Sequence, residues 1–540
     1  LLPVFILAAS VAVAEPNLPP QVVPAVRRWV GGEGFLGLDA SRIVLDARQE
    51  NVLASVARIL RTDLVAGRAG KVVIETANKP ANRAIFLTIE NHAEMRPAGN
   101  YRLEIGDNVV ISSDSAAGVF YGTRTLLQML AQARDGSLPK GTVTDWPDTP
   151  GRMLMLDVAR CPFPVPALED YLRLMAWYKM NELHLHLNDE ALGGAYSAFR
   201  VQCDTFPGLT AEDFFYTKKD LRDLQDFAKA RGITITPEFD MPGHARCFTK
   251  CWPELAYRAN LNYLDITKPE TSRRLKRLLD EMIPLFDGPD IHIGTDEYRV
   301  GGWPNGAEFL RLNDELLRFA NDMNAYVRSK GKNCRVWYGT DHIMSKIKPD
   351  PTLILDIWNI HDETRVLALA ATNRIINSNE QAGYIVPGEN YYGVDNRLVY
   401  DRWQPWMFMA KNEFAKANAA PGKLRGNANV IGAKLHVWMD IGPHKVGAPE
   451  TAKIVLPSLQ VFAEKLWGTK SSPSYAAFQE RAAATSPKYV HRAEMLRDQA
   501  DARCGVVDAE GIYAVERAVV GRCRAFRQTG KGSGYGCRGY

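Results

Sequence analysis

Between residues 150 and 470, short runs that alternate apolar and polar side chains are separated by longer runs whose apolar positions recur every three or four residues. The alternating runs are Met153–Asp157, Glu182–Asp189, Ile233–Asp240, Asp290–Glu297, Cys334–Thr340, Leu353–Trp358, Arg374–Asn379 and Ala433–Asp440. Successive side chains of a strand point to opposite faces. Leu183, Leu185 and Leu187 therefore share one face, with His184, His186 and Asn188 on the other. Likewise Leu355 and Ile357 oppose Asp356 and Trp358, and Leu435 and Val437 oppose His436, Trp438 and Asp440. Helical runs lie between. Thr217 and Asp220 resemble a capping box, Leu221, Leu224 and Ala228 form a stripe, and Gly232 closes that helix. Leu275, Leu278, Leu279 and Met282 repeat the stripe, and Ile454 to Leu466 supplies a last helix. Eight strand–helix units predict an α/β fold, a (β/α)8 TIM barrel over residues 150–470. The polar and aromatic face gathers toward the strands' C-terminal ends, where such barrels hold their active sites.

Residues 16–148 follow another rhythm. Lys71–Ala77, Ala84–Glu90, Tyr101–Ile105 and Val109–Ser113 predict strands and Ser115–Gln132 a helix, together a small α+β domain. The Pro-containing stretch Asp145–Gly151 links it to the barrel. Residues 471–540 predict a helical extension and a basic Gly-rich tail with Arg522, Arg524, Arg527, Lys531 and Arg538. A solvated tail is the expected fate of such a run. Leu1–Ala14 is apolar almost throughout and closes on Ala12-Val13-Ala14 before Glu15. It is too short to span a bilayer and reads as a secretory signal, which predicts an exported protein.

Composition narrows the classes. At 540 residues, 46% hydrophobic and 24% charged, the chain is a globular protein of more than one domain. A net charge of +4 offers no electrostatic basis for nucleic-acid binding, and no stretch predicts a membrane span. Eight cysteines do not make a disulfide scaffold, and Cys247-x3-Cys251 has no second Cys/His pair at zinc spacing.

The chemistry concentrates at the expected barrel mouth. The fourth strand closes on Asp296-Glu297, two adjacent carboxylates for which a core strand has no structural use. Alternation sends Asp296 inward and leaves Glu297 just past the strand, aimed at a neighbouring atom. Other strand ends supply Arg160, Asp189, His244, Trp337, Trp358, Trp438 and Asp440. Aromatic faces stack on sugar rings, and carboxylates with an arginine bind vicinal hydroxyls. The residues are those of a carbohydrate pocket.

Four stretches carry a resemblance: Leu156-Asp157-Val158-Ala159-Arg160, Asn181 to Asp189, Pro237 to His244, and His292 to Glu297. Their content and order resemble the β-N-acetylhexosaminidases of glycoside hydrolase family 20, as does the small preceding domain. The resemblance implies a retaining mechanism in which the sugar's 2-acetamido oxygen attacks C1 and forms an oxazolinium ion. It makes Glu297 the acid and then the base, and Asp296 the group that holds the acetamido N–H. It makes Arg160 the grip on the sugar hydroxyls, Asp189 and His244 supports of the acid, and Trp337, Trp358 and Trp438 the pocket walls. Tyr384 would donate to the acetamido oxygen, with Tyr391 and Tyr392 as rivals, and Asp440 would reach distal hydroxyls. No cofactor and no metal are implied; the partner is a glycan ending in an N-acetylhexosamine.

Two positions depart from the family's pattern. Gly294-Thr295 stands where many members have Gly-Gly, and Tyr384-Ile385-Val386 lacks the acid many members carry. With a long aromatic stretch from Glu380 to Val430, this leaves a lacto-N-biosidase type of disaccharide release open. Two further classes remain at this point: a non-catalytic carbohydrate-binding protein, and a metal-dependent hydrolase using His184, His186, His244, His292 and Asp440. Satisfied interior histidines are the commoner fate of His184, His186 and His292.

Overall fold

The computed structural model describes residues 15–487, except 39–40, 68–70, 92–97, 134–135, 193, 195, 303–305, 417–421, 443–445 and 470–471. The apolar run Leu1–Ala14 and the basic tail lie outside the described residues.

Eight parallel strands form the barrel: β1 (Gly151–Asp157), β2 (Glu182–His186), β3 (Thr234–Met241), β4 (Asp290–Gly294), β5 (Asn333–Tyr338), β6 (Ile354–Ile357), β7 (Ile375–Asn377) and β8 (Val430–Val437). Each pairs with its successor, and β8 returns to β1 with Leu435 opposite Leu154, which closes the sheet. Outward aliphatic residues such as Leu154, Leu185, Ile291, Leu355 and Leu435 are fully buried under the helices.

Three expectations are corrected. The second strand ends at His186; Asn188–Glu190 is a separate strand that hairpins onto Ser197–Phe199. The fourth strand stops at Gly294, because Gly294 and Thr295 both take positive φ, 69° and 85°. The units are also unequal. Between β5 and β6 the described residues hold only the single 3-10 turn His342–Met344, and between β7 and β8 three short helices replace one long one.

The barrel interior is polar rather than filled by Val, Ile and Leu. Near the strands' N-terminal end, Arg335 bonds Glu182 at 3.0 Å and Asp290 at 2.7 Å. Above it, Lys434 lies against Asp356 and 2.8 Å from His184 Nδ1. Glu238 comes next, accepting from Trp337 Nε1 and bonded at 2.7 Å to His186 Nδ1. Buried charges persist only when paired, and each of these is. The histidines His184, His186 and His292 belong to this column.

The N-terminal unit is a seven-stranded mixed sheet. Its strands Tyr101–Ile105 and Val109–Ser113 lie where the alternation placed them. Arg28–Gly37, Arg42–Asp46, Ser137–Asp145 and the helix Glu50–Gly67 were not foreseen. The helix Ala116–Gln132 is buried from Gly118 to Leu130, wedged against both the sheet and barrel helices. An amphipathic surface helix would not be buried on all sides. The link Asp145–Gly151 is docked, not loose: Asp148 and Thr149 N–H groups donate to Trp467 and Leu466 carbonyls, each at 3.1 Å. Beyond 470, the helix Tyr475–Thr485 packs back on the body through Phe478 and Arg481, whose guanidinium bonds Glu464 at 2.7 Å and the Val22 carbonyl.

Candidate active site

Residues at the ends of five barrel strands and on two short added strands, Asn188–Glu190 and Tyr384–Ile385, converge on a cavity at the C-terminal face. Arg160, Asp189, Asp240, His244, Asp296, Glu297, Trp358, Tyr384, Tyr392, Trp438 and Asp440 line it. After β1, Asp157 accepts from the Ala159 and Arg160 N–H groups and fixes the turn that presents Arg160. The guanidinium then meets three carboxylates: Asp157 at 2.9 Å, Asp189 at 2.7 Å and Asp440 at 3.6 Å. Trp438 lies beneath it, 5.7 Å from guanidinium to ring centroid.

After β3, Gly243 and His244 turn toward β4. A Cβ on Gly243 would stand 2.7 Å from the Asp296 carbonyl, and one on Gly294 would overlap the Asp240 carboxylate. Glycine at both positions lets the two strand ends touch. That contact and the φ of 49° at Glu297 turn both adjacent acids into the cavity. The expectation that strand alternation aims the two acids is corrected: the strand ends at Gly294, and the turn beyond it brings both to the one cavity. Thr295 holds its strained left-handed backbone with Oγ1 donating to the Trp337 carbonyl at 3.1 Å.

A chain of alternating acids and imidazoles runs from the column to the mouth. Glu238 meets His186 at 2.7 Å, His186 Nε2 meets Asp189 at 2.6 Å, and Asp189 meets His244 Nδ1 at 2.9 Å. His244 Nε2 ends 3.6 Å from Glu297 and 3.8 Å from Asp296. Burial disfavours a charged His244, but Asp189 outweighs it and raises the imidazole well above its ordinary range. Burial alone would raise Glu297 too, yet His244 and Arg299 hold it down at about 2. Burial and the Glu297 charge raise Asp296, and burial with the Asp296 charge raises Asp240 further. Asp240 Oδ2 and Asp296 Oδ1 are buried without a donor among the described residues, and the two side chains adjoin. One proton between them resolves both.

Tyr384 stands in the cavity on the strand Tyr384–Ile385, opposite His436 of β8. Of its rivals, Tyr392 is committed to Glu380 at 2.7 Å and Tyr391 to Asp440. Trp358 and Trp438 are walls, as expected. Trp337 is corrected: it is fully buried one layer below, packed on Trp358, Tyr384 and Trp438, and serves Glu238. Sequence reasoning gave Asp240 no role, although it lies in the stretch Pro237 to His244. Lys434 occupies the Nδ1 side of His184 at 2.8 Å, and the imidazole Nε2 lies 3.0 Å from Glu238.

The comparisons agree with this geometry. The model "Glycosyl hydrolase family 20, catalytic domain" matches residues 150–470, and "Glycosyl hydrolase family 20, domain 2" matches 19–146. The chain is 26% identical over 506 residues to a beta-N-acetylhexosaminidase of Cellulomonas fimi, covering 86% of this chain and 92% of that one. A beta-hexosaminidase of Porphyromonas gingivalis is 26% identical over 351 residues, 59% of this chain, which thus spans only 44% of that relative. The solved GH20 beta-N-acetylhexosaminidase of Streptomyces coelicolor A3(2) shares the fold, with a TM-score of 0.72 at 24% identity over 88% of this chain and 97% of that one. With its catalytic-domain match extending over more than half of the residues, the chain belongs to glycosyl hydrolase family 20.

Proposed function

We propose that the protein is an exo-β-N-acetylhexosaminidase that removes terminal β-linked GlcNAc or GalNAc with retention. The observation that carries this reading is one turn delivering two adjacent carboxylates into one aromatic-walled cavity. An enzyme nucleophile would need a carboxylate about 5 Å from the acid, across the sugar. Asp296 adjoins Glu297 instead, so it suits steering a nucleophile that the substrate brings. The acetamido oxygen attacks C1 while Glu297 protonates the leaving oxygen. Glu297 then deprotonates the water that opens the oxazolinium ion. Asp296 accepts from the acetamido N–H, and Tyr384 donates to its oxygen. A well-oriented intramolecular attack is worth about 7–11 kcal/mol.

The test is hydrolysis of an aryl N-acetyl-glucosaminide beside the matching glucoside. Glu297→Gln is expected to lower kcat by about 10²–10⁴-fold without unfolding, and the glucoside to resist cleavage. Full turnover by the variant, or equal rates on both glycosides, overturns the reading.

Disaccharide release of the lacto-N-biosidase type is favoured by one feature. Val386 is apolar and buried, and the rim beside Asp440 carries Tyr391 at 50% and Leu192 at 68% exposure. An aryl lacto-N-bioside distinguishes the two. Export is a further proposal, supported by the apolar Leu1–Ala14 run and its small-residue end, and tested by sequencing the mature N-terminus from cells.

A further inference from the structure

The turn that carries Glu297 also carries a cation. The Arg299 N–H donates to the Glu297 carbonyl at 2.6 Å, and the guanidinium returns to the Glu297 carboxylate at 3.0 Å. On its other side, Arg299 Nε lies 3.6 Å from the buried carboxylate of Asp341, just beyond β5. The Asp341 loop is held fast. Asn313 donates to its carbonyl, and the next residue, His342, is buried with Nε2 3.3 Å from Thr295 Oγ1. Arg299 itself is a partly exposed side chain. One partly exposed cation therefore stands between two acids, 3.0 Å from Glu297 and 3.6 Å from Asp341.

This arrangement bears on the acid that the proposed function needs. A proton donor must be protonated, and a guanidinium at contact favours the ionised form. We propose that Arg299 is a positioning residue, a movable counter-ion handed from Glu297 to Asp341, which decides when Glu297 holds its proton. With Arg299 on Glu297, the empty pocket keeps its acid ionised and ordered. A leaving group arriving over Glu297 displaces the guanidinium onto Asp341, and Glu297 takes up the proton it will donate. Other groups also face Glu297. His244 from the turn after β3 and Arg160 from the turn after β1 favour its charge, and Asp296 opposes it. Tyr263 and Tyr392 are neutral neighbours at working pH. Arg160 and His244 also meet other carboxylates but are buried against Asp189 at 2.7 and 2.9 Å, whereas Arg299 is partly exposed and its second carboxylate, Asp341, stands 3.6 Å away.

The inference rests on Glu297 being the acid, and the experiment keeps the two claims apart. The pH dependence of kcat/KM is measured for the wild type, Arg299→Met, Asp341→Asn and the double variant. The substrate is an alkyl N-acetyl-glucosaminide, whose poor leaving group makes proton donation limiting. Losing the cation raises Glu297, so Arg299→Met is expected to move the basic limb up by about one pH unit. That is about tenfold in kcat/KM on the alkaline side. Asp341→Asn leaves the guanidinium to Glu297 alone and moves the limb down. In the double variant the Asp341 effect vanishes, because it acts through Arg299. Arg299→Lys keeps the cation and stays near the wild type. A purely structural role would lower kcat/KM at every pH and leave the limb in place. An unmoved limb in Arg299→Met, or the full Asp341→Asn shift persisting in the double variant, overturns the proposal. Should Arg299→Met fail to fold, Asp341→Asn decides alone, and an unmoved limb there overturns it. If Glu297→Gln retains turnover, it is the functional reading that falls.

Discussion

Asp240 and Asp296 confront each other in the floor of the pocket, and the pair behaves as one titrating unit. Burial and its neighbour's charge raise the Asp240 carboxyl well above the ordinary carboxylate range, which favours Asp240 as the holder of the proton that faces Asp296. An amide presents the same donor. Asp240→Asn is therefore expected to keep kcat within about tenfold of the wild type, whereas Asp240→Ala, which leaves Asp296 unsupported, loses about a hundredfold or more. Equal loss in both variants, measured on an aryl N-acetyl-glucosaminide, would show that the shared proton is irrelevant. The sequence displayed Asp296 and Glu297 plainly, since two acids closing an apolar strand have no packing use. It concealed Asp240, because a lone acid at a strand's end is unremarkable until the facing strand is known. Arg299 and Asp341 were hidden for the same reason: forty-two positions separate them along the chain, and only the adjacency of β4 and β5 brings them together.

At the level of elements, local chemistry was legible where it was self-contained. Thr217 and Asp220 form the capping box that their spacing suggested, opening the helix Lys218–Lys229. The strands Arg28–Gly37 and Arg42–Asp46 escaped notice for a physical reason. The first is a largely exposed, Gly-interrupted edge strand, and the second is buried on nearly every residue, so neither alternates cleanly. The crossover from β5 to β6 could not be read either, because nothing local announces that a helix is missing. Long-range caps were equally invisible. Glu281, on the helix Pro269–Met282, accepts from the Asp204 and Thr205 N–H groups at 2.8 and 2.9 Å and pairs with Lys218 at 2.8 Å. Burial opposes its charge, but Lys218 and Thr205 with those N–H groups outweigh it and lower Glu281 from 4.5 to about 2. A folded value below the unfolded one contributes stability above about pH 4.5 and forfeits it as pH falls toward 2. Glu281→Gln should lower Tm at pH 6 and flatten the fall of Tm between pH 5 and pH 2. A Tm–pH curve parallel to the wild type's would refute the assignment.

The molecule as a whole is held by buried polar contacts between its two units. Lys179, at the end of the barrel remote from the cavity, is fully buried and donates to Tyr101 Oη at 2.9 Å, with Asp145 at 3.4 Å. Trp467 Nε1 donates to the same Asp145 at 2.8 Å. Removing one partner strands the other, so Lys179→Met should cost about 3–5 kcal/mol. Urea unfolding measures this, while kcat/KM at 25 °C stays within about twofold of the wild type. An activity loss as large as the stability loss would mean that this junction reaches the pocket. The barrel as an architecture was readable from its eightfold rhythm. The packing of the two units was not, because it depends on residues such as Asp145 and Lys179 that look like ordinary surface charges in a linear text.

The helix Tyr475–Thr485 carries a practical lesson for anyone wishing to trim the chain. Arg481 neutralises the fully buried Glu464 and simultaneously clasps the Val22 carbonyl. A recombinant fragment stopped at residue 470, where the catalytic-domain match ends, would strand an anion in the interior and unfasten the opening segment of the polypeptide. The smallest sensible expression boundary therefore falls after Thr485, and the helix Tyr475–Thr485 is best regarded as a clasp belonging to the enzyme's body, not as an appendage.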